Sequence, residues 1–88
     1  MSVVWDPDKR VENLRKHGID FADAGELFAD FTITVEDTRG YDEQRYQTTG
    51  VIGGRVVVVV HTEQLGVIRV ISMRKATKYE REVYFSAF

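Results

Sequence analysis

Three arginines in strand-like surroundings, Arg45, Arg69 and Arg74, mark where this chain could do chemistry. The planar fork of arginine suits carboxylate and phosphate oxygens, so such residues point to an anion. Arg69 sits between Ile68 and Val70 and reads either as half of a structural salt bridge or as a functional cation. Arg45 follows Glu43 by two positions, which in an extended strand puts both on one face about 7 Å apart. It is either a cation aimed at a phosphate and steadied by Glu43, or one of two exposed strand charges. Arg74, Lys75 and Lys78 lie at the approach to a helix, with Arg81 one turn on. Cations there oppose the helix dipole, whereas a bound anion would offset the cost. This local rule violation is the clearest physical pointer to a phosphate-bearing partner.

Other candidates have duller readings. His61 ends a valine-rich strand and is either a hydrogen-bonded structural residue or a group that moves protons. His17, beside Gly18, suits a helix C-terminus. Two histidines without spaced partners, and no cysteine, offer no metal site and imply no cofactor. Glu80 fits a capping box with Thr77. Tyr79 and Tyr84 could stack on bases, but with Val83 and Phe88 they also form an apolar helix face.

The order of elements that must carry these residues is strand, two helices, four strands, helix. Val3 to Trp5 reads as an edge strand. Asp6-Pro7 opens a helix through His17, because Pro has no N–H to leave unpaired at its first turn, and Gly18 stops it. A second helix capped by Asp20 runs to Ala29-Asp30, with Ala24, Leu27 and Phe28 at helical spacing. Period two begins at Phe31, Ile33 and Val35, and Asp37 to Asp42 is a turn. Glu43 to Val51 alternates with polar residues on both faces, so one side is solvated or functional. Gly53-Gly54 is a two-residue hairpin. Val56 to Val60 fits a central strand covered on both faces. The last strand, around Ile68 to Ile71, passes through Ser72 to Lys75 into the helix capped at Thr77.

The chain has 88 residues, 43% hydrophobic and 30% charged, enough for one domain over 1–88 and too apolar for disorder. The lack of cysteine, of any apolar run near bilayer length and of a signal-like N-terminus suits a cytoplasmic protein off the membrane. A net charge of −2 argues against a generic nucleic-acid binder. The charge is split, however: residues 1–43 hold eleven acids against five Lys and Arg, and residues 44–88 three against seven. The second half can attract a polyanion that the first repels.

Together these residues carry a family resemblance. Trp5-Asp6, Asn13 to Ile19, Phe21, Ala24, Phe28 with Asp30, Glu43 with Arg45, Gly50, Gly54-Arg55, His61-Thr62, Ile68 to Ser72, Arg74 to Thr77, Glu80 and Tyr84 fall in an order similar to the BrnT toxins of bacterial type II toxin–antitoxin systems. Met73 departs from a usual alanine and Asp42 from a common glycine. The resemblance implies an α+β, RelE-like fold, β-α-α-β-β-β-β-α, with a mainly antiparallel sheet and two N-terminal helices on one face. It implies an mRNA-cleaving endonuclease, held inactive by a cognate antitoxin that is dimeric and DNA-binding. Operator DNA is then reached only through that antitoxin. Cleavage of this type needs no metal and uses the RNA 2′-OH as nucleophile. Arg45, Arg69 and Arg74 would surround the phosphate, Glu43 or His61 would move protons, and Lys16, Lys75, Lys78 and Arg81 would hold the flanking backbone. The rival expectation is a non-catalytic binding module that completes an antitoxin-type repressor complex.

Overall fold

The computed structural model describes residues 1–87. Strand β1 (Ser2–Trp5) leads into helix α1 (Pro7–His17), whose N-cap Asp6 accepts from the amides of Asp8 and Lys9. Gly18, with φ +69°, closes α1 in the left-handed conformation expected of a C-terminal glycine. The second helix is split into a 3₁₀ turn, Phe21–Asp23, capped by the Asp20 carboxylate, and a short α2 (Ala24–Phe28). Four strands follow: β2 (Ile33–Asp37), β3 (Arg45–Ile52), β4 (Arg55–Gln64) and β5 (Val67–Lys75). Helix α3 (Lys78–Ser86) ends the described chain, and its Thr77–Glu80 capping box is complete in both directions. Phe88, read from sequence as part of its apolar face, lies outside the described residues.

The strands form one sheet in the order β1-β5-β4-β3-β2. Only the β1–β5 pair is parallel; the others are antiparallel neighbours joined by turns. Gly53-Gly54, with φ +56° and +78°, makes the β3–β4 turn, as its sequence predicts. Leu65-Gly66, with φ +51° and +78°, makes the β4–β5 turn with a non-glycine in the first left-handed position.

The sheet separates two cores. One holds Phe21, Leu27, Val57, Val59, Val70 and Met73 between the sheet and the α1–α2 layer. The other holds Val56, Val58, Ala76 and Tyr84 beneath α3. Successive valines of β4 therefore serve opposite cores, and all five from Val56 to Val60 are buried. Gly50 on β3 permits close approach of α2, since a Cβ there would lie 2.7 Å from Leu27 Cγ.

Two strand starts differ from the periodicity. β2 begins at Ile33 and not Phe31, and β3 at Arg45 and not Glu43. Glu43 thus belongs to the loop before β3, free of the strand's alternation. Beyond Val70, β5 runs past the end of its β1 pairing. There the buried Asn13 amide of α1 takes the place of a strand: Nδ2 donates to Met73 O at 3.0 Å and Oδ1 accepts from Met73 N at 3.1 Å.

Candidate active site

The α3 face of the sheet collects the arginines. Arg45 and Gln47 alternate on it along β3, and Arg69 reaches it opposite Thr62 of β4. Arg74, opposite Val58, also points to it, although five positions from Arg69 would put the two on opposite faces of a regular strand. The register shift at Val60/His61 resolves this: Val60 pairs with Ser72 and His61 with Val70, leaving Ile71 as an extra residue. The bulge reverses the alternation and brings both arginines to one side.

On that side the cations form two groups. Arg69 Nη2 lies 2.7 Å from both oxygens of Glu43, and Arg45 Nη2 lies 3.4 Å from the same carboxylate. Arg69, with help from Arg45, holds the Glu43 carboxyl below its usual range. Tyr41 covers Arg45, its ring centroid 3.9 Å from the guanidinium carbon. The Arg45 Nε is buried with no hydrogen-bond partner among the described residues. Arg74 forks onto Glu80 at 2.7 and 2.9 Å, which holds that carboxyl at about pH 2. The capping acid of α3 thereby neutralises the cation at the helix entrance, so the dipole conflict seen in sequence is relieved from within. Each arginine of the trio has an internal carboxylate partner.

His61 is set apart from this group. Its side of β4 faces α2: the ring lies edge-on to Phe28 at 5.2 Å and stacks with Tyr46 at 5.8 Å. It is 1% exposed, and burial lowers its proton affinity. Nδ1 donates to Thr62 O at 3.2 Å, which leaves Nε2 to accept from the Thr48 hydroxyl at 2.7 Å. His61 thus has both ring nitrogens hydrogen-bonded and lies on the face of the sheet opposite the arginines.

The lysines lie around the rim. Lys75 and Lys78 are exposed at the α3 entrance. Arg81 donates to Ala76 O at 3.0 Å, bracing that turn. Lys16 is on α1, beyond the uncovered edge of β5, in a pocket shared with Ile71 and Ser72. Tyr84 is buried with its hydroxyl donating to Phe31 O at 2.7 Å, whereas Tyr79 is 73% exposed. Among the described residues no three His, Asp or Glu side chains gather as metal ligands, and no helix is long and apolar enough to cross a membrane.

A family model described as a ribonuclease toxin, BrnT, of type II toxin–antitoxin systems matches residues 5–80. The chain belongs to the BrnT family. Its fold agrees with the crystal structure of the Brucella abortus ribonuclease toxin BrnT at a TM-score of 0.68 and 32% identity. That match covers 89% of this chain and 99% of the Brucella BrnT chain. No curated protein matches the sequence. Membership in the BrnT family implies ribonuclease activity and an antitoxin partner.

Sequence reasoning overlooked one charged residue of this face. Arg39, in the loop between β2 and β3, forks onto Asp37 with contacts of 2.9 and 2.7 Å. The only hint in sequence is an opposite charge two residues away, which many surface loops share.

Proposed function

We propose that this protein is a cytoplasmic endonuclease that cuts mRNA without a metal ion, using the RNA 2′-OH as nucleophile. Its cognate antitoxin, a DNA-binding dimer, holds it inactive and alone carries it to operator DNA. The observation that supports the site is the clasp of Glu43 by Arg69 and Arg45. Two guanidinium groups from different strands converge on one anion. A phosphate offers the same fork-matched oxygens with more charge, so it can displace the carboxylate.

The exchange has a chemical consequence. Glu43 is ionised at neutral pH because Arg69 and Arg45 depress its proton affinity. Once these turn to the scissile phosphate, the freed carboxylate regains basicity beside the 2′-OH and takes its proton. O2′ then attacks phosphorus, the P–O5′ bond breaks, and the departing oxygen takes a proton from water in the open cleft. The products are a 2′,3′-cyclic phosphate and a 5′-hydroxyl. The arginines offset the charge of the pentacoordinate state, the largest contribution in such chemistry. Arg74 stands roughly 15 Å along β5 from Arg69, so it serves a phosphate further along the RNA strand. Lys75, Lys78 and Arg81 line the onward path of the strand, and Lys16 could meet RNA only around the β5 edge.

The test is incubation of purified protein with an RNA and with DNA of the same sequence, with and without EDTA, followed by end-group analysis. RNA cut to cyclic-phosphate ends regardless of EDTA is the expected result. Cleavage of DNA would remove the 2′-OH mechanism, and loss of activity in EDTA its metal independence. Intact RNA throughout would favour the non-catalytic binding module.

A further inference from the structure

The loop between β2 and β3 brings an aromatic ring to the proposed phosphate site. Tyr41 follows Gly40, whose φ of +83° turns the chain in the left-handed conformation, and Tyr41 is half-buried. Its ring lies against Arg45 of β3, with the guanidinium carbon 3.9 Å from the ring centroid, a close cation–π contact. Arg39, tied to Asp37, stands 5.7 Å from the same centroid and stays outside stacking contact. Gly40, Tyr41, Asp42, Glu43 and Arg45 together line one open cavity of about 530 Å³. The ring therefore shares a cleft with the cation and the proton acceptor of the proposed cleavage.

The chemistry of this contact restricts what the cleft can take. A guanidinium meets an aromatic ring through its flat face, whereas its N–H donors lie in its plane. Arg45 can therefore hold the Tyr41 ring and fork onto a phosphate at the same time. A ring gripped on one face by a cation keeps the other for a second flat group. The Asp42 carboxylate in the same cavity repels a further phosphate, so the group beside the ring is uncharged. A nucleobase is flat and uncharged, and a single ribose joins it to the phosphate.

We infer that Tyr41 is the stacking platform for a nucleobase next to the scissile phosphate, with Arg45 holding the ring in place. The inference rests on the ribonuclease reading and adds a base subsite to its phosphate site. Fixing the ring in advance removes part of the side-chain ordering that binding would otherwise cost. The ligand class is single-stranded RNA with an unpaired base, taken by its π-face and so with little regard to sequence. Double-stranded RNA, whose bases are stacked on one another, has no free face to offer.

Binding can be measured apart from cleavage with a mixed-sequence 2′-O-methyl RNA oligonucleotide, whose blocked 2′ oxygen prevents reaction. The companion probe is an abasic 2′-O-methyl backbone of the same length. Wild-type protein should bind the base-bearing strand more tightly than the abasic one. Tyr41→Ala should lose roughly tenfold in affinity for the base-bearing strand and little for the abasic one. Its slope of log K against log salt should match wild type, because no cation is removed. Tyr41→Phe should bind both strands as wild type does, since the ring remains. A wild type without the preference, or a Tyr41→Ala variant that keeps it, would overturn the platform and leave the nuclease reading standing. Equal losses on both strands in Tyr41→Ala would do the same, by reducing Tyr41 to a cover for Arg45. A Tyr41→Phe loss as large as that of Tyr41→Ala would assign the effect to the hydroxyl and overturn stacking. Wild-type protein that binds neither strand would bring down both readings.

Discussion

The two faces of the sheet share their strands and differ in almost everything laid upon them. Toward α1 and α2 the surface is closed: Phe21, Ala24 and Leu27 are fully buried, and even the polar groups there are satisfied, Asn13 by the Met73 backbone and His61 by Thr48 and Thr62. Toward α3 one short helix covers only the end near Val56 and Val58. The remainder carries Gln47, Arg45, Arg69, Arg74 and their carboxylates, with one buried guanidinium N–H lacking a partner among the described residues. The closed face supplies the hydrophobic core, whereas on the open face the exposed Arg69–Glu43 pair contributes at most about 1 kcal/mol to stability. The bulge at Ile71 gathers Arg69 and Arg74 on this face, and the proposed function gives those charges a ligand.

Substitutions on the two faces should therefore separate stability from activity. The largest effect is expected from Leu27→Ala, which empties a fully buried position against Gly50. It should cost about 2–5 kcal/mol in urea unfolding; a loss below ~1 kcal/mol would mean that this face is not the tight core described. Next is Arg69→Ala on the open face. RNA cleavage should drop on the order of 10²–10³-fold, while unfolding free energy stays within about 1 kcal/mol of wild type. Undiminished cleavage would take Arg69 out of the proposed centre. Parallel losses of stability and activity in both variants would erase the contrast between the faces.

The fold was legible where its causes are local. Asp6-Pro7, Gly18, Gly53-Gly54 and the Thr77–Glu80 box each specify a cap or turn through their own backbone requirements, and each stands where sequence places it. The uninterrupted valines announced a strand covered on both sides, and the two cores confirm it. Helical spacing predicts a longer second helix than the structure contains, because it cannot tell a 3₁₀ turn from the α-helix that follows. The candidate site was only partly visible. That Arg69 and Arg74 share a face depends on the Ile71 bulge, which no glycine or proline marks. The partners of the arginines were hidden too: Glu43 lies 26 residues from Arg69 in sequence, and its placement in a loop was masked by alternation running on from β3. His61 was ambiguous because the valines before it are buried on both faces of β4, so alternation does not reveal which face its residues take.

The smallest effect concerns His61 and tests how closed the inner face is. A hydroxyl relay runs from Thr34 to Thr48, 2.8 Å apart, and on to the neutral imidazole at Nε2. Burial works against protonation more strongly than the Thr62 carbonyl and the Glu63 charge favour it, so the folded ring has a lowered proton affinity. The unfolded chain, with an ordinary histidine near 6.5, binds a proton that the folded one refuses as pH falls below that value. Folding stability contributed by His61 is therefore complete above about pH 6.5 and declines as the medium is acidified below it. The carboxylates of Asp20, Asp37 and Glu80, each held at about pH 2, stay ionised at pH 5.5 and do not contribute to this window. Between pH 7.5 and 5.5, wild-type protein should lose more stability in urea unfolding than His61→Gln, whose amide cannot titrate. Equal losses would mean that the imidazole titrates as though in water, and the inner face would then be as open to solvent as the arginine-lined one.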